Sequence, residues 1–117
     1  MRRGEIWTVS GGADYAGKPR PAIVIQSDQF DDTPSITICP LTGTAANTVY
    51  ARFVVAPSTT NGLQQHSHAM VDKISTVPKS KAGRRIGRLD DRDIANLDRA
   101  LALFLGLADR RVVRRST

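Results

Sequence analysis

Cysteine occurs once in the chain, at Cys39, so no internal disulfide can staple the fold, and the count fits a reducing compartment. Histidine is nearly as scarce. His66 and His68 with one thiol cannot close a zinc site, and no HExxH or CxxC pattern adds ligands, so no metal centre is expected. No GxGxxG follows a strand, and there is neither a P-loop nor a GxSxG elbow, which leaves no seat for a nucleotide cofactor and none for an α/β-hydrolase nucleophile. Aromatic residues make up 5% of the chain, too few for extensive base stacking. The longest apolar run falls well short of a membrane span. The opening Met-Arg-Arg-Gly-Glu is followed by no apolar signal segment, so a cytoplasmic rather than a secreted or membrane protein is expected.

What the chain does have is positive charge. Its net charge is +6 and its isoelectric point about 10.2, which invites a polyanionic partner. Lys79, Lys81, Arg84, Arg85 and Arg88 form one run without an acid among them. That run reads either as a solvated loop or as a track for phosphates. Arg110, Arg111, Arg114 and Arg115 form a second cluster, and residues 109–117 are expected to be a disordered basic tail. At 117 residues the chain supports one core, so a single domain over residues 1–108 is expected.

Alternation predicts a first strand in Arg3–Val9, with Glu5, Trp7 and Val9 on one face and Ile6 and Thr8 on the other. The glycine-rich segment SGGADYAGKP then reads as a surface loop. Pro21–Gln26 follows as a strand whose Ala-Ile-Val-Ile run predicts burial on both faces. Further strands are expected at Ser35–Leu41, Thr48–Ala56, Gln65–Val77 (one bent or two short) and Ile86–Leu89. Ile94, Leu97, Leu101, Phe104 and Leu105 recur at helical spacing behind Asp90, Asp91 and Asp93, which suit an N-cap and first turn, and Gly106 suits a stop. Many short strands followed by one amphipathic helix make a mainly β, α+β protein: a small, strongly curved sheet or barrel with the helix packed against it.

The residues that invite chemistry are few. Pro19 and Pro21 confine Arg20 from both sides, so its guanidinium costs little to order on binding. Arginine matches phosphate geometry and never loses its charge, and Thr42 has a hydroxyl that can add a hydrogen bond. Cleavage of RNA by its own 2′-OH needs only orientation, proton transfer and stabilisation of an anionic phosphorane. Taken alone, Arg20 reads equally as an anion binder or a structural ion-pair partner, and Thr42 as a strand-end residue. His66 and His68 titrate in a useful range and, two residues apart, would share one face of a strand; they read as RNA-contacting or exposed strand residues. Lys18, Lys79, Lys81, Arg84 and Arg85 are candidates to track phosphates, and Tyr15 is the one loop aromatic placed to stack on a base.

Six segments taken together carry a resemblance: RGEIWTV (Arg3–Val9), KPRPAIVIQ (Lys18–Gln26), ITICPLT (Ile36–Thr42), NGL (Asn61–Leu63), VDKISTV (Val71–Val77) and GRLDDRDIANLDRAL (Gly87–Leu101). In this order they resemble the MazF/PemK family of toxin endoribonucleases, collinearly from Arg3 to about Ala108. The resemblance implies a homodimeric, SH3-like curved barrel that cuts single-stranded RNA without a metal or other cofactor. It implies products with 2′,3′-cyclic phosphate and 5′-OH ends, and control by a cognate MazE-like antitoxin. The family's catalytic arginine falls on Arg20 and its threonine on Thr42. A family serine matches Ser67, and an acidic residue of the first loop falls near Asp14.

Two other classes are open to such a chain. A gyrase poison resembling the CcdB type shares the fold but acts through a Trp-Gly-Ile ending on its helix. Here that region reads Phe104-Leu105-Gly106-Leu107, and the sole tryptophan is Trp7 in the first strand. A non-catalytic, basic RNA-binding barrel is the third, against which Arg20 and Thr42 speak. An antitoxin tail that is acidic and extended would lay carboxylates on Arg20 and its basic neighbours, in direct competition with RNA.

Overall fold

Short alternating segments pair into a curled antiparallel sheet, and one apolar helical stripe closes over it. The computed structural model describes residues 1–10, 18–44 and 52–107. In chain order these form β1 (Glu5–Val9), β2 (Arg20–Val24), β3 (Ser35–Thr42), β4 (Phe53–Val55), β5 (Ser67–Ala69), β6 (Ser75–Pro78), β7 (Ala82–Arg88) and α1 (Asp91–Phe104). The strands follow the spatial order β4-β5-β3-β2-β1-β7, with β6 also paired to β3. Long β3 therefore serves two neighbours on one edge, β6 along Ser35–Ile38 and β5 at Leu41 and Thr42. Among the described residues β4 and β7 do not pair with each other, so the expected barrel is a strongly curled sheet that stays unclosed.

Both faces of this sheet bury apolar side chains. Ile6, Ile23, Cys39 and Leu41 pack under Leu97 and Leu101 of α1, whereas Val9, Ala22, Val24, Ile36 and Ile38 form a second cluster on the opposite face. The continuous Ala22–Val24 run thus meets its expected double burial. Helix α1 starts where Asp90 Oδ1 accepts from the Asp93 N–H at 2.8 Å, and it ends before Gly106, whose φ of 77° suits a residue without a Cβ. Arg3 ties the helix to the sheet: its Nε donates to the Ile25 carbonyl at 2.7 Å and its guanidinium meets Asp98 Oδ1 at 2.8 Å. No helix among the described residues is long and apolar enough to cross a membrane.

The expected boundaries shift in physically simple ways. The 65–77 segment resolves into β5, a 3-10 turn at Val71–Lys73, and β6. Of the strand expected over Thr48–Ala56, only Phe53–Val55 is strand among the described residues. The basic run is not a loop. After a 3-10 turn at Lys79–Lys81 it becomes β7, the strand that pairs the free edge of β1, and Arg84 and Arg85 sit in it because an edge strand can hold charges in solvent.

One loop holds β7 in place. Asn61, buried at 2% exposure, accepts from the Ser58 and Leu63 N–H groups, each at 2.9 Å, and donates to the Ala56 carbonyl at 2.8 Å. Gly87 lies against this knot. A Cβ at Gly87 falls 2.5 Å from the Thr60 carbonyl oxygen, against backbone that the Asn61 hydrogen bonds keep from yielding. Gly87→Ala is expected to destabilise the protein by about 1–3 kcal/mol, the usual cost of overpacking. Thermal denaturation beside the exposed-loop control Thr59→Ala tests this, and an unchanged Tm in Gly87→Ala would refute it.

Candidate functional site

The site grows out of one ladder. β2 and β3 run antiparallel with Ala22 opposite Pro40, Ile23 opposite Cys39 and Val24 opposite Ile38. Pro21 and Pro40 have no N–H to give, and the paired positions end at Ala22. One pleat further along the same register, Arg20 comes opposite Thr42, on the face that also carries Ala22 and Pro40. Both residues line a groove of about 890 Å³, together with Ser10, Pro40, Ser67 and Lys73.

Arg20 is exposed, and among the described residues it has no carboxylate partner. Arg2, Arg3, Arg52 and Arg85 each meet an acid, whereas Arg20, like Arg84, Arg88, Arg92 and Arg99, meets none among the described residues, and of these five only Arg20 lines the groove. The ion-pair reading of Arg20 therefore lacks a partner among these residues, and the fork faces an open groove. Thr42 is half-buried, and its Oγ1 accepts from the Thr44 N–H at 3.2 Å, which leaves its own proton free to donate. Ser67 lines the groove at 4% exposure, but its Oγ donates to the Gln65 carbonyl at 3.2 Å. Its proton is engaged in shaping the groove wall.

The histidine pair separates. β5 begins at Ser67, so exposed His66 lies before the strand and only His68 lies in it; the expected two imidazoles on one strand face are not formed. Lys18 is exposed just before β2. Lys79, Lys81, Arg84 and Arg85 lie on the 3-10 turn and β7, outside the groove lining. Lys79 Nζ donates to the Asp31 carbonyl, and Arg85 Nε pairs with Glu5 Oε2 at 3.1 Å. Burial pushes the Glu5 carboxyl upward, but hydrogen bonds from Trp7 Nε1 and the Arg2 N–H, with the Arg85 charge, hold it below the usual range. Asp14, Tyr15 and residues 109–117 lie outside the described residues.

Sequence reasoning missed Lys73 and Gln65 as groove residues. Lys73 sits in the VDKISTV segment, where only the turn between β5 and β6 aims it at the groove. It also missed the ion pair behind that turn. Arg52 grips Asp72 with Nε on Oδ1 at 2.8 Å and a second guanidinium nitrogen on Oδ2 at 2.9 Å, the side chains being 10% and 20% exposed. Hydrogen bonding to Arg52 holds the Asp72 carboxyl below the usual range, and Arg52 is raised in turn. Burial, then the nearby Asp72 charge, pushes the Cys39 thiol up to about 12, so it remains a thiol and supplies no nucleophile. Among the described residues no three His, Cys, Asp or Glu side chains come together as a metal site. What the groove offers is a cationic fork beside a hydroxyl, a seat for one phosphodiester in an open channel.

Residues 2–105 match the family of PemK-like, MazF-like toxins of type II toxin-antitoxin systems. A probable endoribonuclease MazF of Mycolicibacterium smegmatis is 44% identical over 108 residues, covering 92% of this chain and 99% of the relative. Endoribonuclease MazF9 of Mycobacterium tuberculosis is 36% identical, covering 92% and 98%. Among solved structures, an endoribonuclease in complex with its cognate antitoxin, from a mycobacterial species, superposes with a TM-score of 0.76 at 22% identity, covering 93% of this chain and 98% of that one. The Mycobacterium tuberculosis toxin MazF-mt6 gives 0.70 at 25% identity, covering 84% and 92%.

The Arg52–Asp72 fork sets a pH dependence that carries a definite sign. Because folding lowers the Asp72 carboxyl, the unfolded chain binds more protons at intermediate pH, so this pair's stability is fully present above the ordinary carboxylate range and is lost as pH falls through the lower, folded value. Asp72→Asn is expected to cost about 1–3 kcal/mol near neutrality, the range for losing hydrogen bonds to a charged group at a part-buried pair. Its urea-unfolding stability should also decline less steeply than the wild type's between about pH 5 and 2. Parallel declines in the two proteins would refute the assignment.

Proposed function

The chain belongs to the PemK-like, MazF-like toxins of type II toxin-antitoxin systems and is an endoribonuclease of that kind; we propose that it cuts single-stranded RNA at the groove where Arg20 and Thr42 meet. The observation that carries this reading is that an exposed, carboxylate-free arginine and a threonine hydroxyl line one open groove. In the reaction the substrate's 2′-oxygen attacks the adjacent phosphorus, the bond from phosphorus to the 5′-oxygen breaks, and the products are a 2′,3′-cyclic phosphate and a 5′-OH. Arg20 stabilises the extra negative charge on the phosphorane through two parallel N–H donors, and Thr42 adds an O–H donor to a non-bridging oxygen. With a pKa above about 12, a guanidinium works here as a fixed charge rather than as a base. The nucleophile comes with the RNA, and a permanent cation meets the developing charge, so the scheme routes no step through a metal.

The same chemistry bears on control. An acidic, extended antitoxin segment that sets a carboxylate on Arg20 would compete with the scissile phosphate, and one solved relative is an endoribonuclease in complex with its cognate antitoxin. The toxin acts in the cytoplasm as a homodimer, with exposed Phe104 and Leu105 at the end of α1 among the apolar surface open to a second copy. A gyrase-poison reading and a non-catalytic RNA-binding reading find no support.

Cleavage of end-labelled, mixed-sequence single-stranded RNA by antitoxin-free protein in excess EDTA tests the proposal. Arg20→Ala is expected to lose about 100- to 1,000-fold in rate, as when one oxyanion donor is removed. Thr42→Ala is expected to lose about 10- to 100-fold, in line with a hydrogen bond to a charged group. Cuts ending in 3′-OH, or wild-type rates in Arg20→Ala, would overturn it.

A further inference from the structure

Thr42 has a neighbour on each side. On the edge of β3 away from β2, β5 pairs with Leu41 opposite Ala69 and Thr42 opposite His68. On its own far edge, β5 sets His68 opposite Val54 of β4. Directly opposed residues of an antiparallel ladder project from the same face, with Cβ atoms about 4.5–5.5 Å apart. Leu41 and Ala69 enter the core beneath α1, so Thr42, half-buried His68 and exposed Val54 project from the other face, the one that carries Arg20. Three adjacent strands thus present Arg20, Thr42 and His68 in one row. The outer two strands are about 10 Å apart, enough for a phosphate over Thr42 to touch Arg20 while its ribose turns toward His68.

Resting on the ribonuclease reading above, we propose that His68 is the proton-transfer group of the reaction, the base that receives the proton of the attacking 2′-OH. As the 2′-oxygen bonds to phosphorus, its proton passes to the neutral imidazole. The phosphorus–5′-oxygen bond breaks, the 5′-oxygen takes a proton from water, and the imidazolium returns its proton to the hydroxide so formed. Among the described residues His68 makes no side-chain hydrogen bond or ion pair, and the groups directly opposite it, Thr42 from β3 and Val54 from β4, are uncharged. The cations that line the groove are Arg20 and Lys73, its lining holds no carboxylate, and His68 stands just outside that lining, opposite Thr42.

The test is the pH dependence of kcat/KM between pH 5 and 9, in EDTA, for the wild type, His68→Ala, His68→Gln and His66→Ala. The wild type is expected to lose activity on the acid side, where a general base becomes protonated. His68→Ala should lose about 100- to 10,000-fold and the acid limb with it, and His66→Ala should keep the limb. Binding of an RNA carrying a 2′-deoxy sugar at the scissile position reports whether the groove is intact. If His68→Ala binds it more than tenfold weaker than the wild type, His68→Gln carries the comparison instead. An acid limb that survives in a binding-competent His68 variant overturns the proposal, as does a limb lost in His66→Ala. If the wild type cuts no RNA at any pH, the ribonuclease reading itself fails, a result distinct from cleavage without a His68-dependent limb.

Discussion

The short antiparallel ladder between β2 and β3 is the contact on which the rest depends. Its three paired positions bring Arg20 and Thr42 to one mouth, and the prolines at 21 and 40 end the ladder where the groove opens. Past Ala22 the two strands part, and each end pairs on its other edge instead, Arg20 with Val9 of β1 and Thr42 with His68 of β5. The strand remains fixed from within, because Ala22, Ile23 and Val24 are each at most 1% exposed. Arg20 is thus carried on a buried stem with a free head, the arrangement that lets a cation meet an anion without first ordering itself.

β3 gives this ladder its reach. Along Ser35–Ile38 it serves β6, and past Pro40 it serves β5, so a single strand gathers one wall of the groove from elements distant in the chain. The Pro40 carbonyl still accepts from the Met70 N–H at 2.9 Å, which ties the turn after β5 to the same bend. Behind that turn the Arg52–Asp72 fork fixes the backbone that carries Lys73. The groove is thereby held by strand pairing and a part-buried ion pair rather than by loop packing.

Much of this was legible in the residues themselves. Four apolar residues after two prolines announced a doubly buried strand, and Asp90 before an apolar 3.6-residue repeat announced α1. Arg20 and Thr42 could be picked out by chemistry, as a forked cation and a hydroxyl, and by family resemblance. Their opposition could not, because a register is a non-local fact: a slip of one residue puts every side chain on the other face. Of β7 only the end covered by Ile86–Leu89 was legible, because the charges of an edge strand blur the apolar alternation over its earlier residues. The histidines were misplaced as a pair because two-residue spacing means one face only within a strand, and β5 begins between them. Lys73 carried no local signal, since a lysine in a turn looks the same whether it faces bulk water or a channel.

The pairing of Arg85 with Glu5 changes what the formal charge of the chain means. A polyanion gains affinity by shedding condensed counterions as cations replace them, and a cation already matched to its own carboxylate displaces few. Lys79 donates to a neutral carbonyl and keeps its charge, so one of the five charges in the basic run is matched within the fold and the rest stay open to phosphate. The run is thus a field slightly weaker than its composition implies, one that draws RNA along β7, while Arg20 and Lys73 meet it at the groove.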